Sequence, residues 1–147
     1  MSELAAQETL KVIAFQLIDK EYALPVNQVY SIEKVMHITR VPKTVSFVKG
    51  VINLRGVITP IIDLRTRINL PEEIYDDKTR IIIAALDDME VGLVVDSAND
   101  VLDIESSAIE QQPEVVGATE VEYITGVVRL GKRLITLLNL EKILKCD

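Results

Sequence analysis

The 147-residue chain has no tryptophan, one cysteine, one histidine, two phenylalanines and four tyrosines. Without large aromatic anchors, its core has to be built from valine, isoleucine and leucine. Cys146 has no second cysteine to pair with, which excludes an internal disulfide framework and fits a reducing cytosol. The longest apolar run, Ile81 to Leu86, is six residues, against the roughly 18 that a membrane-spanning helix needs. Met1 to Glu8 carries acidic residues and no apolar signal core, which argues against a secretion signal. Positive charge is also scarce: 16 Lys and Arg face 23 Asp and Glu, for a net charge of −7. Nonspecific attraction to nucleic acid or to an anionic membrane is therefore disfavoured. The expectation is a soluble, acidic, intracellular protein, one compact unit or two very small ones.

The residues of catalysis are equally thin. His37 is alone, with no cysteine or second histidine beside it to build a metal site. No G-x-S-x-G elbow occurs, and none of the six glycines falls into G-x-G-x-x-G or a Walker pattern. Asp76-Asp77 and Asp87-Asp88 sit at turns, where acidic pairs are normally solvated, and they lack calcium-loop spacing. The chain is expected to be no enzyme and to need no cofactor or metal. Small β-barrels often bind oligonucleotides, but that function wants a basic groove and stacking aromatics, which this acidic chain does not supply. A protein-binding module survives this elimination.

What the chain does have is short β-branched runs between turns. Val12 to Ile18 and Glu21 to Leu24 read as strands around the polar Asp19-Lys20. Pro25 and Asn27 interrupt, with room for one helical turn, before Val29 to Met36 resumes. Alternation puts Val29, Ser31, Glu33 and Val35 on one face and Tyr30, Ile32, Lys34 and Met36 on the other, and both faces are mixed. Gly50 to Leu64, GVINLRGVITPIIDL, reads as strand, tight turn, strand, with Arg55 at the bend. Pro60 cannot donate a ladder hydrogen bond, which suggests an edge or a bulge. Pro71 to Lys78 is the candidate linker. Arg80 to Leu86 and Glu90 to Val95 follow as strands, then a connector from Val101 to Tyr123. Ser107 to Glu110 has capping-box spacing and is expected to start a helical turn before Pro113. At the end, Asn139 is placed to cap a short helix with Leu140, Ile143 and Leu144 on one face.

The chain also repeats. A shift of 69 puts Glu21-Tyr22-Ala23-Leu24 on Glu90-Val91-Gly92-Leu93 and Leu17 on Leu86. A shift of 76 puts Gly50 on Gly126, Leu54 on Leu130, Ile61-Ile62 on Leu137-Leu138 and Leu64 on Leu140. The copy has Gly131 where the first has Arg55, so the fold does not need arginine at that bend. The reading is mainly β, with two related small barrels in tandem and a short C-terminal helix.

Phe47 to Gly56, continued by Pro60-Ile61-Ile62-Asp63-Leu64-Arg65, resembles the signature of the CheW family of bacterial chemotaxis coupling proteins. The likeness runs from about Val12 to Leu144, through Glu21-Tyr22, Gly92 to Asp96, Val101-Leu102 and Tyr123 to Gly126. It implies one CheW-like domain over 10–146, made of two five-stranded SH3-like β-barrels packed together. Their approximate bounds are 10–70 and 79–140, with strands free to cross between barrels. It implies an adaptor without chemistry, which holds the hairpin tip of methyl-accepting chemoreceptors and the regulatory domain of a CheA-type histidine kinase. Such a protein is cytoplasmic, at membrane-associated receptor arrays, with no nucleic acid and no membrane insertion. The same family architecture could serve another receptor–kinase array, such as one for surface motility. Arg55 matches the family arginine implicated in coupling, with Asn53 and Leu54 beside it, and Val29 matches an apolar groove position. Where many relatives carry Glu two residues later, this chain has Ser31, and Glu33, about 7 Å further along the same face, is the substitute. Val45 departs from a frequent proline. Apolar residues of both barrels are expected to take the receptor's helical tip in a groove while Arg55 fixes its register.

Overall fold

The structure, a computed structural model, describes residues 8–42, 47–71, 74–110 and 123–144. Thr9, within the frayed tail expected over residues 1 to 9, instead opens the first strand, and residues 1–7, Val45 and Pro113 lie outside the described residues. The strands in chain order are β1 (Thr9–Leu17), β2 (Lys20–Pro25), β3 (Val29–Lys34), β4 (Val48–Leu54), β5 (Val57–Asp63), β6 (Arg80–Leu86), β7 (Met89–Val95), β8 (Ser97–Glu105), β9 (Ile124–Leu130) and β10 (Arg133–Leu138). Two short helices, α1 (Leu64–Arg67) and α2 (Leu140–Leu144), follow β5 and β10, and 3-10 turns occupy Val26–Gln28 and Ser106–Ala108. The strands form two five-stranded sheets, ordered β8-β1-β2-β10-β9 and β3-β6-β7-β5-β4. The fold is mainly β and consistent with SH3-like architecture. Its compact units are Met1–Val26 with Asn99–Asp147, and Asn27–Ala98.

A division at residues 70–79 does not coincide with these sheets, because each takes one hairpin from each half of the sequence. The junction inside each sheet is parallel: β5 on β7, with Ile61 opposite Gly92, and β10 on β2, with Leu137 opposite Ala23. Parallel neighbours need a long crossover, so the strands that meet at this junction are not consecutive in the chain. The repeat survives in full. The shifts of 76 and 69 carry the Ile61–Gly92 pair onto Leu137–Ala23 without a slip in register. The β4–β5 register shift between Val48 and Gly50 recurs at Leu137/Leu138 in β9–β10, where Gly126 again opposes the corresponding strand.

Aliphatic side chains fill both interiors, as the composition requires. One cluster comprises Val12, Ala23, Ile104, Val128, Ile135 and Leu137, and the other Ile52, Leu54, Ile61, Ile81, Ile83 and Val94. Burying each of the larger ones contributes about 1.5–3 kcal/mol. The repeated glycines admit a neighbouring backbone. Thr39 pairs with Val51 through two 2.8 Å hydrogen bonds, and Glu110 pairs with Val127 at 2.7 and 2.8 Å. A Cβ on Gly50 would lie 2.1 Å from the Thr39 carbonyl oxygen, and one on Gly126 2.7 Å from that of Glu110.

Three local expectations are corrected. Pro60 is neither on an edge nor at a bulge: β5 lies between β7 and β4. Proline is tolerated because its partner Val51 spends its own N–H and C=O on Thr39, and the β5–β7 ladder starts one residue later, at Ile61. Ser107 does not cap a helical turn: the 3-10 turn begins at Ser106, and Ile109 is extended so that Glu110 can pair with Val127. The connector read from Val101 to Tyr123 begins inside β8, whose outward residues Asn99, Asp100, Asp103 and Glu105 are polar and whose Ile104 joins the core. The capped C-terminal helix forms as read: Lys142 N–H donates to Asn139 Oδ1 at 3.2 Å, and Leu140 and Ile143 are buried. The sequence reading omitted α1, which Asp63 caps by accepting from Thr66 N–H at 3.4 Å.

Candidate functional site

The β4–β5 hairpin closes on the pair Leu54–Val57. Its two loop residues are left-handed, Arg55 with φ of 52° and Gly56 with φ of 85°, the pattern whose twist suits a two-residue hairpin. Asn53 Oδ1 accepts from Gly56 N–H at 2.8 Å and holds the turn. Glycine adopts this conformation freely; a long side chain does so at a cost of about 1 kcal/mol or more. The repeat uses the easier residue, Gly131, with φ of 62°. Arg55 is 60% exposed at its strained position.

Arg55 Nη2 donates to Glu33 Oε2 at 3.2 Å, and the Ser31 hydroxyl donates to the same oxygen at 2.8 Å. The structure thus brings together Arg55, Glu33 and Ser31, from the two outer strands of one sheet. Burial settles the faces of β3: Val29, Ser31 and Glu33 are half-buried, while Tyr30, Ile32 and Lys34 are exposed. Val29 pairs with Ala84 at the other end of β3 from Glu33. Leu54 is different. Its side chain belongs to the core cluster, so alternation along β4 turns it away from any partner. Asn53 is exposed, with its carbonyl engaged in the turn.

Below the hairpin, buried Asp63 also accepts from the Tyr75 hydroxyl at 3.2 Å and has Lys49 Nζ at 3.8 Å. Arg65 makes a paired contact with Asp96, its Nε donating to Oδ1 at 2.8 Å. Asp63, Tyr75, Arg65 and Asp96 line a cavity of about 150 Å³ with Asp76 and Thr79, but they are matched to one another. Among the described residues no group of three or more His, Cys, Asp or Glu could hold a metal ion, and His37 is exposed.

The other unit carries a denser ionic cluster. Arg133 donates through Nε to Glu21 Oε1 at 2.9 Å and through Nη2 to Glu21 Oε2 at 2.7 Å, and it reaches Asp100 at 3.0 Å. Asn99 Nδ2 adds a 2.9 Å bond to Glu21. The Arg133 hydrogen bonds hold Glu21 and Asp100 below the usual carboxylate range and raise the guanidinium in turn. Nothing in the sequence signalled this cluster, since Glu21 and Arg133 stand 112 residues apart.

A hairpin tip with an exposed arginine braced by a carboxylate is equipped to bind a partner. Comparison with known proteins agrees. The CheW-like domain family matches residues 11–146. This chain belongs to the CheW-like family. The chemotaxis protein CheW of Bacillus subtilis is 48% identical over 134 residues, 91% of this chain and 86% of that protein. CheW of Klebsiella aerogenes is 38% identical over 135 residues, covering 92% and 81%. The crystal structure of the scaffolding protein TtCheW from Thermoanaerobacter tengcongensis superposes with a TM-score of 0.88 at 29% identity and covers 95% of each chain. The chain is a CheW-like chemotaxis coupling adaptor. Among the described residues, no helix is long and apolar enough to cross a membrane.

Proposed function

We propose that this adaptor works in the cytoplasm at receptor arrays, holding the cytoplasmic hairpin tip of chemoreceptors and the regulatory domain of a CheA-type histidine kinase. Arg55 is the contact that sets register, Glu33 and Ser31 aim it, and the half-buried Val29 contributes apolar surface. Asn53 shapes the turn that presents the arginine. The reading is carried by one observation: Arg55 occupies a left-handed backbone position that the repeat fills with Gly131. Folding alone favours glycine at both bends, so an exposed arginine there is retained for a partner. A guanidinium offers a planar set of donors to carboxylates or to carbonyls at a helix end, which suits recognition of a helical tip.

The test is a titration of wild type, Arg55→Glu and Arg55→Gly against a receptor cytoplasmic fragment and against the kinase regulatory domain. Both variants are expected to lose tenfold or more in affinity for at least one of them. Arg55→Glu should melt close to wild type and Arg55→Gly at or slightly above it, because glycine relieves the backbone. Equal affinities for all three proteins would remove Arg55 from the interface.

A further inference from the structure

The shared register of the two sheets makes their differences informative. Beside the β9–β10 turn, Arg133 locks Glu21 with two hydrogen bonds, at 2.9 and 2.7 Å. In the Asn27–Ala98 unit the same repeat puts Glu90 in the place of Glu21 and Val57 in the place of Arg133. The match is structural as well as sequential, since Ile61 opposite Gly92 repeats Leu137 opposite Ala23. The carboxylate is therefore kept and its arginine is missing. Glu90 is half-buried and, among the described residues, makes no ion pair or side-chain hydrogen bond. Val57, which stands where the clamp would start, is 53% exposed. Arg55 does not replace the missing clamp, because its guanidinium is directed to Glu33.

We propose that the partner supplies the missing cation: an arginine of the receptor's helical hairpin pairs with Glu90 in trans as Arg133 pairs with Glu21 in cis, and an aliphatic neighbour of that arginine covers Val57. The inference rests on the adaptor reading above. A half-buried carboxylate without a counter-ion attracts a cation, and bidentate pairing selects arginine over lysine. The cis clamp shows that this rim geometry accommodates a guanidinium. One face of an amphipathic helix can offer an arginine and an aliphatic side chain three or four residues apart. The receptor hairpin is the occupant because Val57 follows the Arg55–Gly56 turn directly, so one helix can meet both.

Two variants and a control test this against the receptor cytoplasmic fragment. Glu90→Gln removes the charge. Val57→Arg installs the arginine in cis and occupies Glu90. Val57→Leu keeps the apolar contact. The first two are expected to weaken receptor binding tenfold or more, with Val57→Arg melting at or above the wild-type temperature, while Val57→Leu binds as wild type. Affinity for the kinase regulatory domain should not change in any of them. Wild-type receptor affinity in both Glu90→Gln and Val57→Arg overturns the inference and leaves the adaptor reading standing. So does a loss confined to the kinase domain. Wild-type protein that binds neither fragment overturns both. Should Val57→Arg fold poorly, Glu90→Gln alone decides.

Discussion

Arg133 gathers two carboxylates that come from distant parts of the chain, and its effect on them can be measured by pH. The hydrogen bonds from Arg133 hold Glu21 and Asp100 below their ordinary values of 4.5 and 3.8. A carboxylate depressed by folding takes up its proton more readily in the unfolded chain. Its stabilising contribution is therefore complete above the unfolded value and is lost as pH falls through the lower folded one. Arg133→Gln is expected to cost ~1 kcal/mol at pH 7, a modest figure because the cluster is partly open to water. The difference from wild type should begin to shrink as pH drops below 4.5, through Glu21, and shrink further below 3.8, through Asp100. Urea midpoints at neutral and acid pH check this, and an undiminished gap in acid would assign the effect to packing of the arginine stem. At this scale the sequence was partly legible. Strand alternation placed Ser31 and Glu33 on one face and turn chemistry placed Arg55 at a bend, and these three do meet. Leu54 sits in the core, a role that the signature did not announce. The Arg133 cluster was invisible because it depends on the parallel pairing of β2 with β10.

The elements were more legible than their neighbours in space. Apolar runs with β-branched residues located seven of the ten strands, and the 76-residue repeat implied β9 and β10. The exception, β8, offers few inward apolar side chains, so its pattern reads as a connector. Gly50 and Gly126, noticed only as aligned letters, turn out to be contact points where a second backbone crosses β4 and β9. Alanine at either must push a carbonyl away, and backbone cannot yield as a side-chain tip does. Gly50→Ala is expected to destabilise by about 2–4 kcal/mol, since its φ of 149° is also unfavourable for a side chain. Gly126→Ala, with the looser 2.7 Å approach and no such φ, should cost less. Thermal melts give the ranking, and a Gly50→Ala protein as stable as wild type would mean that the Thr39–Val51 bridge is dispensable.

For the whole molecule, the decisive fact is which strands share a sheet. The repeat pointed to two barrels in tandem, yet chain order carries no information about the partner across a parallel junction, and that partner determines how the sheets are divided. β3, β4, β5, β6 and β7 all fall within Asn27–Ala98, whereas the other sheet draws β1 and β2 from the start of the chain and β8, β9 and β10 from its end. A fragment spanning residues 27–98 therefore keeps every strand of its sheet and its own aliphatic core of Ile52, Leu54, Ile61, Ile81, Ile83 and Val94. A fragment spanning 1–78, cut at the polar linker instead, separates β5 from β7 and β2 from β10, and leaves two incomplete sheets with open edges. The 27–98 fragment is expected to show β-type circular dichroism and a cooperative, if lowered, melt, because a core of this size is marginal. The longer 1–78 fragment should be unfolded or aggregated. Cooperative melting of the 1–78 fragment, with none from 27–98, would reverse this assignment and restore the tandem division along the chain.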